Sequence, residues 1–443
     1  MTIIWRDGPD PEAYEEARTA RLFNRQIPER YPLAIAFAKS ESDVVDAVKL
    51  ATEKNCQISI RAGGHSWPAW SIRDEAILLD LGDHREISLD EQTGVVRVSP
   101  STTGKELVDY LSCSGRTISV GHCPGGGLGG FLLAGGMGWN CNNWGWACEQ
   151  LVAVDLVTAS GELVHANQHQ RNDLLWAAKG AGPGFPGVVT RFHLQTRLTP
   201  KVMRASEYVY RMSHYRAAFD WILKVRFTED DNVEIIVNGR YSEDIKEVCI
   251  TISVVAFGDE EDIVKTALQR AESSYPPGLV SHSFCRGTNF QELFEVMAKG
   301  YPPDHHYFVD NAFLANDADV AGTLEPAFAL PTKSSVVLWS SMKPYSRRPL
   351  PDMAVSLQSD HFCGVYGICR QEEDVVATQN WVRGVMAKVA KHSIGAYLGE
   401  FDFQERRSRF WGEAQRRKLM EIRNEWDPDQ RICGYLGLEY TVD

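Results

Sequence analysis

The chain has 443 residues, more than one ordinary core accommodates, so two or three domains are expected. No uninterrupted apolar run approaches the roughly 18 residues of a membrane-spanning helix, and a small-molecule partner without membrane association is expected. A formal net charge of −13 gains nothing from phosphate counterion release, which argues against nucleic acid as a partner.

The start, Met1 to Pro11, has no basic stretch leading into an apolar one, so a cytoplasmic protein is expected. The ten cysteines are loosely spaced and form no Cys-x-x-Cys pair. That pattern predicts packed thiols and neither a disulfide framework nor a zinc site. His305-His306 stand without regular partners, and no metal is expected there. Arg406-Arg407 and Arg416-Arg417-Lys418 read as the solvated face of a helix.

In chain order, Val44, Ala47, Val48 and Ala51 place a helix over Ser40 to Asn55, with Ser40 and Asp43 as a capping box. A strand over Gln57 to Arg61 runs straight into Ala62-Gly63-Gly64-His65-Ser66. Strands over Ala76 to Leu81 and Gly94 to Ser99 follow, then a helix over Thr103 to Cys113 and a strand over Thr117 to Val120. Leu151 to Thr158 and Leu163 to His165 flank a turn and predict a hairpin. Val188 to Thr196 is a further strand. Composition shifts near Pro200. Beyond it, helices are expected over Ser213 to Val225 and Glu260 to Ser273, with strands over Asn232 to Val237 and Ser334 to Trp339. Val248, Ile250, Ile252 and Val254 alternate, which requires one buried strand face. Helices over Asp374 to Ala390 and Arg406 to Glu425 close the chain. The fold class is therefore α+β, with a second unit built on an antiparallel sheet covered by helices.

Two glycine-rich loops carry the functional reading. In the first, Gly63 and Gly64 follow a strand and let backbone N–H groups converge on an anion such as a pyrophosphate. Taken alone, it is equally a plain Gly-Gly turn beside an exposed histidine. In the second, Gly125, Gly127 and Gly130 satisfy G-x-G-x-x-G, which invites an NAD-binding Rossmann reading. That fingerprint needs a helix of useful length directly after it. Gly135, Gly136 and Gly138 would each cost such a helix about 1 kcal/mol. A third cluster, Lys179 to Gly187, precedes a strand rather than a helix and also lacks the βαβ context. It is either a cofactor contact or a tight loop.

The order of motifs is specific. It runs Arg61-x-Gly-Gly-His-Ser66, Gly121-x-Cys-Pro124 with its glycine run, Asp173-Leu-Leu-Trp-Ala-Ala-Lys-Gly-Ala-Gly182 and Gly187-Val-Val-Thr190. Tyr397-Leu-Gly-Glu-Phe-Asp402, Phe410-Trp-Gly412 and Trp426-Asp-Pro-Asp429 follow. This order resembles the vanillyl-alcohol-oxidase-type (PCMH-type) flavoproteins, in the branch of berberine bridge enzyme and 6-hydroxy-D-nicotine oxidase. The resemblance covers roughly residues 30–200 and 395–435. It implies an FAD-binding domain from residues 1–203, a substrate domain from 204–394, and a segment 395–443 that returns to the first. Arg61, Ala62, Gly63, Gly64, His65 and Ser66 would line the pyrophosphate, with His65 bonded to the flavin. Gly125, Gly126, Gly127, Gly129 and Gly130 would pass along the isoalloxazine, and Gly187 and Val189 would meet the adenine side.

Departures from the family pattern sharpen the expectations. Gly127 is read as the position of a second flavin-linking cysteine, with Cys123 and Cys141 out of register, so attachment through His65 only is expected. Trp144 to Gln150 differs from the relatives' pattern, Gly399 stands where Asn is usual, and Gly434-Tyr435-Leu436 replaces the usual ending. By the resemblance, the enzyme takes hydride from an alcohol, amine, sugar or secondary metabolite and passes electrons to O2, giving H2O2. Tyr397 is the leading base, with Tyr435 and Lys343 as alternatives. Asp360-His361 reads as an ordinary polar pair in a loop. The rival readings are an FAD-bearing enzyme of oxidative or non-redox cyclisation and an NAD-dependent Rossmann dehydrogenase. A monomer or homodimer is expected.

Overall fold

The computed structural model describes residues 1–225 and 231–436. A four-stranded sheet takes the order Thr2–Trp5, Ala34–Phe37, Ile77–Asp80, Ile58–Arg61. Its last three strands run parallel. The predicted helix is present as Glu41–Glu53 and buries Val44, Ala47, Val48 and Ala51 against this sheet. Ser40 caps it by accepting from Asp43 N. The Asp43 carboxylate, however, accepts from Lys39 N, so the expected capping box is displaced by one residue.

A five-stranded antiparallel sheet follows, in the order Ile87–Asp90, Val95–Val98, Gly187–Gln195, Leu151–Thr158, Leu163–Asn167. The predicted hairpin forms its edge. The expected strand over Thr117 to Val120 shrinks to Arg116–Thr117, which pairs only with Arg197–Leu198. Beyond it the backbone leaves the sheet to serve the glycine loop.

The third sheet has eight strands, in the order Leu279–Gly287, Val202–Arg211, Glu247–Gly258, Val233–Ser242, Val336–Ser341, His361–Cys369, His306–Leu314, Ser393–Gly395. All its pairings are antiparallel. Ile250, Ile252 and Val254 face the helices Tyr215–Val225, Glu261–Glu272 and Val375–Val389 in one apolar cluster. The opposite face is left for a cavity.

The last helix is Glu413–Trp426. Arg406 precedes it and forms no helix face. Its guanidinium grips Asp310 through Nε and Nη2, at 2.8 and 2.9 Å, and lies over the Phe401 ring. After this helix the chain returns to the first sheet. Ile58 N donates to Arg431 O and Cys433 N to Ile58 O, each at 2.8 Å, so residues 431–433 extend the edge beside Ile58–Arg61.

Candidate active site

The strand Ile58–Arg61 ends where the side chain of Arg61 turns inward. Its guanidinium pairs with Asp80 at 2.7 Å and donates to the carbonyls of Ala17 and Arg18. Arg61 therefore anchors the loop, and only its backbone is available to a ligand. The loop crosses the second glycine run at van der Waals distance. A Cβ on Gly63 would lie 2.6 Å from Gly127 Cα, and one on Gly127 would lie 2.6 Å from Gly63 Cα. Gly64 has φ of +79°, and a Cβ there would meet Arg21 O at 2.4 Å. Among the described residues, the N–H groups of Gly63, Gly64 and His65 have no protein acceptor. They edge a cavity of about 1490 Å³, larger than the roughly 300–1,000 Å³ that serves one small ligand. Gly130 opens onto the same space, and nothing lies within 4 Å of a Cβ built there.

This is the cradle an extended dinucleotide needs: donor N–H groups at a turn and bare backbone beyond it. It is not a Rossmann site. The helix after the glycine run, Leu128–Leu133, has six residues, and the strands pairing near it are antiparallel. Ala62, Ser66, Gly126, Gly129, Gly187 and Val189 also line the cavity.

His65 stands in the wall with Phe23 stacked on it, ring centroids 4.4 Å apart and planes 4° from parallel. Its Nε2 sits 3.3 Å from where a Gly125 Cβ would be. Burial pushes its pKa down from 6.5 to about 4, so the imidazole is neutral at neutral pH. Cys123 also lines the cavity, and burial pushes its thiol up. Cys123 is close enough to the Glu400 carboxylate to feel its charge. Cys141, by contrast, is buried away from the cavity. At Gly127 the Gly63 backbone leaves no room for a side chain.

The opposite wall is aromatic, with Trp67, Tyr301, Tyr307 and Tyr366 in mutual contact. The Glu400 carboxylate reaches into it. Tyr366 Oη donates to Glu400 Oε2 at 2.7 Å, and burial raises the Glu400 pKa above its ordinary value. The turn that presents Glu400 is held by Asn311. This fully buried amide accepts from Tyr397 N at 2.7 Å and donates to Tyr397 O at 3.0 Å and Glu400 O at 2.7 Å. Sequence reasoning settled on Tyr397 and passed over Glu400, three residues on. The signal was an acidic residue beside the aromatic Phe401, three residues after Tyr397. Asn311 carried no sequence signal, because its partners lie 86 and 89 residues away.

The proposed bases are placed as follows. Tyr397 touches the cavity, but its ring stacks on Trp146, centroids 5.5 Å apart. Its hydroxyl faces the N–H groups of Gly136 and Met137. Tyr435 donates to Ala181 O at 2.5 Å and packs among Phe403 and Trp411, outside the cavity wall. Lys343 follows the strand Val336–Ser341 and is also absent from the wall. Asp360 is buried and paired with Arg347 at 2.6 Å, and His361 begins a strand, so that pair is structural. His305 and His306 diverge, one to Pro303 O and the other to Glu372. The segment from Asn140 docks against the eight-stranded sheet. Glu234 accepts from Asn140 N at 2.9 Å and meets His122 at 2.5 Å.

Residues 32–167 match an FAD binding domain. A fungal relative, FAD-linked oxidoreductase nodO of Hypoxylon pulicicidum, is 35% identical over 435 residues, covering 98% of this chain and 97% of its own. The chain belongs to the FAD-linked oxidoreductases. The fold of this FAD-linked oxidoreductase matches 6-hydroxy-D-nicotine oxidase from Arthrobacter nicotinovorans with a TM-score of 0.82. That alignment has 20% identity and covers 100% and 97% of the two chains. It also matches the glucooligosaccharide oxidase of Acremonium strictum, TM-score 0.81, at 17% identity over 99% and 98%. That structure's description gives its cofactor as a 6-S-cysteinyl, 8α-N1-histidyl FAD. The enzyme binds FAD, and among its described residues no helix is long and apolar enough to cross a membrane.

Proposed function

We propose that this FAD-linked oxidoreductase is an oxidase that removes hydride from a C–H bond of a small organic substrate, with Glu400 as its base. The observation that carries the reading is the Glu400–Tyr366 pair, which shares one cavity with the His65 loop. Bound flavin supplies the hydride acceptor and, with O2 as the final acceptor, releases H2O2. The protein supplies the rest. Residues 1–203 and 395–443 serve the cofactor, and residues 204–394 serve the substrate.

Tyr366 occupies one oxygen of Glu400, which leaves Oε1 to accept a substrate O–H or N–H and take its proton as the hydride departs. A raised pKa suits that task, since the carboxylate is a stronger base than an exposed one. Trp67, Tyr301, Tyr307 and Tyr366 exclude water and offer flat apolar surface to the substrate.

For attachment, neutral His65 is the nucleophilic anchor. The cysteinyl link named for the Acremonium enzyme points to Cys123 as a second anchor here, in place of the single link that Gly127 suggested. Acid-precipitated wild-type protein should stay yellow. His65→Ala and Cys123→Ala should each retain some bound colour, and the double variant should release all its flavin. Release of all flavin from Cys123-intact His65→Ala would return the reading to one anchor. The activity test is a peroxide-release screen over alcohols, oligosaccharides, amines and phenols. Glu400→Gln should keep its flavin while losing about 10²–10⁴-fold in the rate of flavin bleaching. An unchanged rate would remove Glu400 from the chemistry, and a wild type that neither bleaches nor yields peroxide would remove the oxidase reading.

A further inference from the structure

Asp155, His165 and His193 belong to neighbouring strands of the five-stranded sheet, and none of them lines the flavin cavity. Asp155, on the strand Leu151–Thr158, stands directly opposite His165 on one side and Arg191 on the other. His193 lies two residues beyond Arg191 and shares its face of the sheet. The two imidazoles lean over the strand Leu151–Thr158 from either side. Their centroids are 5.3 Å apart and their planes cross at 86°. His165 Nδ1 is 2.5 Å from Asp155 Oδ1, and His193 Nε2 is 2.9 Å from Oδ2. One atom from each of the three residues falls within 4.8 Å of the others.

We infer that these three side chains form a binding site for a borderline divalent cation of the Zn²⁺ type, distinct from the flavin site. Two imidazoles and a carboxylate are the ligand set such an ion takes, at about 2.0–2.2 Å from each atom. Tetrahedral ligands at that radius stand about 3.3 Å apart, so the two His–Asp contacts need to open by less than about 1 Å, and the two ring nitrogens, within 4.8 Å of each other, need to close by at most about 1.5 Å. Rotation about their own bonds supplies that while the strands stay fixed. The His165 side chain keeps 38% of its surface exposed, which leaves a route for the ion and a position for water.

Arg191 is the evident objection, because its Nη1 lies 2.7 Å from Asp155 Oδ2. Arg191 also pairs with Glu41 at 3.2 Å and Glu86 at 2.7 Å. Three carboxylates against one guanidinium leave two negative charges when both imidazoles are neutral, which a dication balances. The ligand form needs only a change of tautomer. Each ring moves its hydrogen to the nitrogen that faces away from Asp155. Sequence spacing could not reveal the set, because the two histidines lie 28 positions apart.

The test uses the full flavin-loaded chain, stripped with a chelator and titrated with Zn²⁺ by calorimetry. One Zn²⁺ per chain is expected. His165→Gln/His193→Gln should weaken it by more than about 100-fold with flavin content and circular dichroism unchanged. Wild-type crystals grown with Zn²⁺ and measured across the zinc absorption edge should give an anomalous peak between His165 Nδ1 and His193 Nε2. That readout does not depend on the variant folding. Absence of saturable uptake, undiminished uptake by the folded double variant, or no anomalous peak at these rings would overturn the inference.

Discussion

Removing the Asn311 side chain tests whether this one amide builds the turn that presents Glu400. Asn311 is fully buried and makes three hydrogen bonds to the backbone of Tyr397 and Glu400. Asn311→Ala leaves one N–H and two carbonyls without partners, and each orphaned buried group costs about 1–3 kcal/mol. Water admitted to the space left behind resatisfies part of this, so a net loss of about 3–5 kcal/mol is expected. That is a large share of a typical stability of about 5–15 kcal/mol. Urea denaturation of the flavin-loaded protein measures it directly. The same variant lets Glu400 shift, and a misplacement of about 1 Å can cost about 100-fold in rate. Bleaching of the flavin by substrate, compared at equal flavin content, reads this second effect. A destabilisation under about 1 kcal/mol with full activity would show that the turn holds itself, and the positioning role of Asn311 would fail.

Other outcomes follow from the same geometry. Tyr397→Phe should change the bleaching rate by less than about 3-fold, because the hydroxyl faces backbone N–H groups; a loss above about 100-fold would restore Tyr397 as the base. Gly63→Ala should abolish flavin incorporation by prising the two loops apart, whereas Gly130→Ala should fold normally and lose flavin affinity only, as measured by flavin content and thermal melting. Covalent incorporation of FAD into apoprotein should be flat from about pH 8 to pH 5. The His65 pKa is lowered to about 4, so its neutral form is lost only as pH falls through that value. A midpoint near 6.5 would refute the burial argument.

Much of the fold was legible because it is local. Apolar residues at helical spacing placed Glu41–Glu53, and alternation placed the strand Glu247–Gly258. The glycines of the two loops were legible for a related reason. A backbone that must approach another backbone, as Gly63 does Gly127, admits no side chain, and that requirement is written at single positions. His65 follows the first of these loops and lines the same cavity.

Tertiary structure alone decided where the polar groups point. Arg61 and Tyr435 have the chemistry of site residues, yet buried partners at Asp80 and Ala181 consume it. Glu400 gains its hydrogen-bond partner in the distant Tyr366, and Cys123 gains its place in the cavity wall from the path of the loop. Periodicity reports which face of an element is buried, so the sequence determined the elements and the two glycine loops. Hydrogen bonds across 34 to 89 residues select which acid faces the flavin cavity, and no local pattern encodes that choice.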